Sequence, residues 1–452
     1  MVRAALFAVL GSLIATAVAV AAPPWSAPES VSSPETFVAS PHVVFDGRGR
    51  AYATWLRGNP DAPGAWRVAV REPGVSEFGP ERSAPNLVTQ PIPFGRANRV
   101  FALDQIRRGR GRISLRARFT RPDGSFSRPD TIATYRPAFI QASAPALAVH
   151  DETVDDVAVA AWIQGSARGR RIVRAALRRT GERFTRPVTL RARGRARDVV
   201  AGAGPGVVFV AWERAGVVEA RVKLNKRRSW GPVQRLGPTR KVGTTFRVAF
   251  AGRRGYLAWL AQGSEFAAVY VSVLSGGGTR FGAAQTVASN HGGAPDSSPA
   301  PALVAISERD ALLAWSDWDG AAWRVRAAVT GPGTRFGAPF DVSPPGEQAQ
   351  LGGAAVVPSE ISLPAGTVMV VWSRLDAVGE VGDRVRAAIR PPGGSFGPPE
   401  DISDLDRARI PAVAFDSVSR RWTTVWSQRI GPDQGVPQSQ ITTFLRSANR
   451  PG

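Results

Sequence analysis

W-S-R-L-D-A-V-G-E-V-G-D-R-V-R-A-A-I-R-P-P-G-G-S-F-G-P-P-E-D-I-S, from Trp372 to Ser403, decides the fold. Nearly the same pattern stands at Trp315–Ser343, and weaker copies recur along the chain at a spacing of about fifty residues. The copy ends in an aromatic and a Pro-containing tail, strand d, which begins at Trp25, Phe78, Phe126, Phe184, Trp230, Phe281, Phe336 and Phe396. Before it comes a Gly-rich turn such as Gly276-Gly-Gly-Thr279, which supplies the positive-φ residues a tight hairpin needs. Upstream lie an alternating strand c, as at Val325–Val329 and Val385–Ile389, and a strand b that ends in tryptophan. Those tryptophans are Trp55, Trp162, Trp212, Trp259, Trp315, Trp372 and Trp426; the second repeat has Phe101-Ala-Leu-Asp104 instead. Strand a opens each repeat, as at Pro41–Asp46, Pro301–Ile306 and Pro411–Asp416.

Strand b is apolar at every position, as in Val207-Val-Phe-Val-Ala211, so it is covered on both faces. No segment has a helical period, so other sheets must provide the cover. Four-stranded antiparallel sheets stacked around an axis satisfy this, and the expected fold is an all-β single β-propeller over residues 23–452. Immunoglobulin-like sandwiches need about 100 residues per unit, twice the period present. The last repeat stops at Asn449-Arg-Pro-Gly452, where its strand d should begin, while Trp25–Ser32 is a strand d without a repeat. The N-terminal strand is therefore expected to complete the last blade and close the ring. The count is eight blades; seven would place the second repeat outside.

Residues 1–22 combine Arg3, an uncharged apolar run and Ala-x-Ala sites, which predicts a secretory signal peptide, with a retained N-terminal anchor as the alternative. Cysteine is absent, which excludes disulfides and thiolate metal sites, and three scattered histidines offer no metal or catalytic cluster. No cofactor is expected. The formal net charge is +22, and residues 90–255 hold 35 Lys+Arg against 11 Asp+Glu, so the whole excess lies in one contiguous third. That placement points to anionic partners.

At the c–d hairpin, Gly-x-Phe/Trp followed by Gly/Ser-x-Pro resembles the degenerate Asp-box of sialidase-like propellers; Gly278-Thr-Arg-Phe281 and Gly394-Ser-Phe396 keep its aromatic end. Only Asp123 comes near the aspartate of that box. Arg409-Ile410-Pro411 resembles the Arg-Ile-Pro of sialidases but stands in the last repeat instead of the first. The resemblance implies the propeller fold and, as one alternative, a polysaccharide-acting enzyme.

Loop length varies on the b–c side, the side a repeat fold frees for binding. There Asp317-Trp318-Asp319-Gly320 sets an aromatic between two carboxylates, a pattern that could stack on a sugar and bond its hydroxyls. A polar hairpin with a half-buried tryptophan is the plainer reading. Arg107, Arg108 and Arg110 lie in the b–c loop of one repeat, and Arg170 and Arg171 in that of the next. Together they make a candidate anion-binding surface. His150-Asp-Glu-Thr-Val-Asp-Asp156 gathers carboxylates, but lacks the glycine a calcium loop uses and reads as a solvated turn. The expected function is a secreted, monomeric, non-catalytic protein that binds anionic polymers or glycans. A protein-interaction scaffold is the other alternative, and export makes nucleic acid a poor fit.

Overall fold

The computed structural model describes residues 25–451 except 35–37, 59–64, 85–91, 95–98, 110, 122, 124, 137–144, 151–156, 166–170, 180–181, 192–193, 195, 240–243, 264–265, 291–299, 332, 359–363, 376–382, 404–406 and 431–441. Residues 1–22, read above as a signal peptide or N-terminal anchor, therefore lie outside the described residues. Those described contain strands and turns and no helix.

The strands form eight four-stranded antiparallel sheets, each in the order a-b-c-d. Blade 1 comprises Val38–Phe45, Ala51–Arg57, Ala65–Arg71 and Arg82–Ser83. Blade 2 comprises Ile92–Phe94, Arg99–Arg108, Arg112–Phe119 and Asp130–Tyr135. Blade 3 comprises Ala146–His150, Val157–Gly165, Arg171–Arg179 and Val188–Arg191. Blade 4 runs through Ala196–Gly204, Val207–Arg214, Val217–Leu224 and Gln234–Pro238. Blade 5 runs through Thr244–Ala251, Arg254–Gly263, Phe266–Leu274 and Gln285–Asn290. Blade 6 consists of Ala302–Ala305, Ala311–Trp318, Trp323–Val329 and Phe340–Asp341. Blade 7 consists of Gln348–Val356, Val368–Leu375, Arg384–Arg390 and Glu400–Asp401. Blade 8 takes Ala408–Asp416, Arg421–Ile430 and Thr442–Pro451 from the end of the chain and Glu29–Ser30 from its start. The second repeat is thus a blade of the ring, and the count of eight stands over seven.

Neighbouring blades touch through their a strands all the way round, blade 8 against blade 1 included. The clasp is built as the two chain ends imply. Glu29 pairs with Ser447 and Ser30 with Arg446. Ser447 Oγ donates to Glu29 at 2.7 Å, and Trp25 Nε1 donates to Glu400 of blade 7 at 3.0 Å. Strand d is shorter than the tail that announces it: in blades 6 and 7 its ladder is two residues long and starts four after the aromatic.

The core is a set of clusters, one at each blade–blade interface. Trp162 packs among blade 2 residues such as Phe101 and Leu115, Trp212 among those of blade 3, and so on to Trp426 on blade 7 and Trp55 on blade 8. All seven strand-b tryptophans are buried. Burying ~150–250 Å² each, they carry much of the interface energy. Their indole N–H groups find partners where the sequence offers one: Trp212 donates to Glu219 at 2.9 Å and Trp372 to Glu347 at 2.6 Å.

Blade 2 has no such tryptophan, and Asp104 occupies its place, paired with Arg116 as Trp162 is with Arg174. Asp104 is fully buried and bidentate with Arg116, at 2.7 and 2.9 Å, while Arg118 Nε also reaches it. The cluster between blades 1 and 2 is correspondingly small: Val44, Tyr52, Val68 and Val100.

Candidate functional site

The b–c tip of blade 6 is a self-contained hairpin. Trp318 pairs with Trp323, and Asp317 with Arg324, across the ladder. Gly320 adopts φ 99°, a left-handed conformation that glycine enters without a Cβ penalty. The Asp319 carboxylate accepts the N–H groups of Ala321 at 2.9 Å and Ala322 at 2.8 Å. These backbone donors, with the nearby Arg324 charge, hold its pKa below the usual aspartate value. Arg324 Nε lies 2.7 Å from Asp319, and Arg326 Nη1 donates to the buried Asp317 at 3.0 Å. Trp318 meets Trp323 edge to face at 5.4 Å between ring centres. Both carboxylates are thus engaged by arginine, and the half-buried tryptophan is fixed by its neighbour.

The arginine loops stand elsewhere. Arg107 and Arg108 are exposed at the end of strand b of blade 2, where Arg108 Nε donates to Ser114 Oγ at 3.3 Å. Arg171 opens strand c of blade 3 and leans on blade 4, its Nη1 donating to the Ala196 carbonyl at 3.4 Å. Arg110 and Arg170 lie outside the described residues. Blades 2 and 3 are neighbours, so the ring brings Arg107, Arg108 and Arg171 to one sector. Blade 6 faces blade 2 across the ring, so the Asp317–Asp319 tip is not part of that surface.

Pairing separates the two halves of the molecule more sharply than net charge does. In blades 6 and 7 a strand-c arginine faces a strand-d aspartate: Arg326 opposite Asp341 at 3.0 Å and Arg386 opposite Asp401 at 2.7 Å. In blades 1, 2 and 3 the equivalent arginines, Arg67, Arg116 and Arg174, face Ser83, Thr131 and Thr189. Asp104 of blade 2 and Glu219 of blade 4 are buried and already hold Arg116, Arg118, Arg191 and Arg214. Arg107, Arg108, Arg183, Arg186, Arg227 and Arg228 are exposed and form no ion pair with a described residue. Exposed acids among the described residues of blades 2–5 are Asp123 and Glu182, and 151–156 lies outside them.

Strand a of blades 1, 4, 7 and 8 carries a β-bulge level with or beside the tryptophan of strand b. Ser40, Asp198 and Ile410 stand there at φ 49°, 42° and 54°. A β-branched residue with positive φ is strained, and Ile410 is also 53% exposed. Beside it Arg409 ion-pairs with Asp383, so the arginine of the Arg-Ile-Pro triplet is already engaged. A cavity of about 100 Å³ there is lined by Gln350, Leu351, Ser373, Leu375, Arg409 and Ile410, and another of about 140 Å³ lies at the blade 8–blade 1 seam around Arg71 and Asp416. Both are below the ~300–1,000 Å³ of small-molecule pockets.

The fold and these surfaces define an eight-bladed β-propeller with one basic arc. No family model matches the chain, and no curated protein does. Solved propellers resemble it at the level of fold. NanB sialidase from Streptococcus pneumoniae has a TM-score of 0.38 at 8% identity, over 92% of this chain and 68% of that one. The Dos1 propeller has 0.46 at 8%, over 94% and 95%. The α-L-arabinanase of Penicillium chrysogenum, solved with arabinobiose, has 0.40 at 11%, over 94% and 98%.

Proposed function

We propose that the protein is an exported, non-catalytic binding protein whose arc over blades 2–5 holds anionic polymers, acidic glycans foremost. The observation behind this reading is the shortage of acid partners in that arc: Arg107, Arg108, Arg183, Arg186, Arg227 and Arg228 are exposed and form no ion pair with a described residue, while Asp104 and Glu219 are buried and already paired. Exposed arginines without carboxylates leave their forked donors for sulfate, phosphate or uronate groups along a chain. A glycan hydrolase needs a carboxylic acid with a raised pKa as proton donor. At the Asp317–Asp319 tip, backbone donors and arginine act the opposite way on Asp319.

Arg107, Arg108, Arg170 and Arg171, each changed to Glu, test the arc on a sulfated-polysaccharide column. Retention is expected to vanish in this variant and, in the parent, to fall steeply with salt, since charges are screened beyond ~8 Å at physiological ionic strength. Arg107 and Arg108 are exposed, so each of those two changes should cost under about 0.5 kcal/mol of stability. Equal retention of parent and variant, or retention insensitive to salt, would leave the scaffold reading in its place.

A further inference from the structure

The exposed cations of the basic arc do not lie on one face of the ring. In an antiparallel meander the b–c connection and the c–d turn stand at opposite ends of strand c. Arg107, Arg108 and Arg112 are exposed at the b–c tip of blade 2, where Arg108 pairs with Arg112 across the ladder. Arg179, Arg183, Arg186, Lys226, Arg227 and Arg228 are exposed at the c–d turns of blades 3 and 4, on the other face. Strand c of blade 3, Arg171–Arg179, is 9 residues long, so its two ends stand ~27 Å apart at ~3.4 Å per residue. The rim between the faces adds little free charge. In blade 3 it presents Val188 and Thr189, and Arg191 beyond them is held by Glu219. In blade 4 the exposed Arg235 stands opposite Glu219 across the ladder.

The c–d cluster is fastened from below. Arg179 Nη2 donates to the Asn225 carbonyl at 2.9 Å and so joins the hairpins of blades 3 and 4. Arg178 Nε donates to the Glu182 carbonyl at 2.7 Å, while its guanidinium lies 4.2 Å over the Phe119 ring of blade 2. The buried Lys223 ammonium donates to the carbonyls of Leu224, at 3.3 Å, and Arg227. Its pKa is lowered, by desolvation first and then by the Arg179 charge. The six exposed cations form no ion pair with a described residue, and Glu182 is the exposed acid among the described residues of the two hairpins. The equivalent turn of blade 7, from Pro391 to Pro399, carries no charge at all. Four further acids belong to the a–b connection of blade 3, residues 151–156, which lies outside the described residues. The middle of an a–b turn and that of a c–d turn are two ladder spacings apart, ~10 Å, beyond the ~8 Å over which exposed charges act at physiological ionic strength.

We propose that the c–d hairpins of blades 3 and 4 are a second polyanion site, so that one molecule holds two polymer segments, one on each face. This inference rests on the arc binding anionic polymers and adds that it does so twice. Forked guanidinium donors without carboxylates suit the sulfate or carboxylate groups of such a chain on either face. Because strand c separates the two sites within one rigid blade, a segment lying across one face does not reach the other. The protein therefore links neighbouring polymer chains, and a chain already held is tied to the next at high effective concentration.

The parent is compared with two variants of equal net charge. One carries Arg107→Gln, Arg108→Gln and Arg112→Gln at the b–c tip; the other carries Arg183→Gln, Arg227→Gln and Arg228→Gln at the c–d turns. All six side chains are exposed, so both variants should fold as the parent does. A sulfated tetrasaccharide, too short to reach from face to face, is titrated into each by calorimetry. The parent should bind two per molecule and each variant one. Beads carrying a sulfated polysaccharide are then loaded with each protein and offered the same polysaccharide with a fluorescent label. The parent should capture the label, and both variants should lose that capture. One tetrasaccharide per parent molecule, whichever variant loses it, overturns the second site and leaves anionic-polymer binding standing; this reading needs no variant. Full capture of label by the c–d variant overturns it as well. No saturable binding in the parent overturns the second site and the arc together.

Discussion

Asp104→Ala is the sharpest test of how blade 2 is held. Asp104 is fully buried, takes two hydrogen bonds from Arg116 and another from Arg118, and stands where seven other blades place tryptophan. Removing one side of a buried pair leaves the other charge uncompensated, at a cost of about 3–5 kcal/mol. Two arginines are stranded here, but both reach partial solvent, with side chains 12% and 17% exposed, which holds the cost toward the lower end. At ~1–2 °C per kcal/mol, below the ~2–4 °C of domains half this size, the melting temperature should fall by about 3–8 °C. Asp104→Asn keeps the shape and loses the charge, so it should show about half of that fall or more. Adding Arg116→Gln and Arg118→Gln to Asp104→Ala should recover part of it, because the penalty is the unpaired charge and not the lost volume. Scanning calorimetry at a fixed scan rate reads all four proteins. A parent-like melt for Asp104→Ala, or a triple variant less stable than the single one by the full additive sum, would refute the reasoning.

Ring closure is open to a disulfide trap, since the chain has no cysteine of its own and Ser30 is directly paired with Arg446. Ser30→Cys with Arg446→Cys should oxidise to an intramolecular disulfide and run faster on a non-reducing gel; persistent free thiols in the folded protein would speak against the clasp. His42 makes stability pH-dependent. Its folded pKa of about 4 lies below its unfolded value near 6.5, so the unfolded chain takes up a proton first as pH falls. The His42 contribution should be flat above about pH 6.5 and drop between there and pH 4 by up to ~3 kcal/mol, less because the residue is part-exposed. His42→Gln should remove that drop from a series of urea melts across this window, and an identical profile in both proteins would contradict it.

The repeat made the architecture legible because strand b must be apolar on both faces, and a ring of stacked sheets answers that. The spare strand at Trp25–Ser32 and the missing one after Asn449 announced the closure for the same reason: an open edge costs ladder hydrogen bonds. The position of Asp104 was visible as an exception, but its chemistry was not, because Arg116 and Arg118 become its neighbours only in the b–c register. Register also hid the fate of the Asp317–Asp319 tip. Aligning the repeats on their tryptophans puts Arg326 directly opposite Trp315 and faces it with Asp341, a signal present in the chain but readable only once strands are paired. The bulges at Ser40, Asp198 and Ile410 left no mark in the residue types, since glycine, the usual signature of positive φ, is absent from all three.

Placement of charge, as opposed to its amount, is the core of the functional account, and two variants of equal net charge test it. One changes Arg107, Arg108, Arg227 and Arg228 of the basic arc to Gln; the other changes the ion-paired Arg324, Arg326, Arg384 and Arg386 of blades 6 and 7. The quantity measured is the salt concentration that elutes each protein from a sulfated polysaccharide. The arc variant should elute at clearly lower salt than the parent and the blade 6–7 variant close to it. Equal losses in both would show that affinity follows net charge alone and would contradict a binding arc.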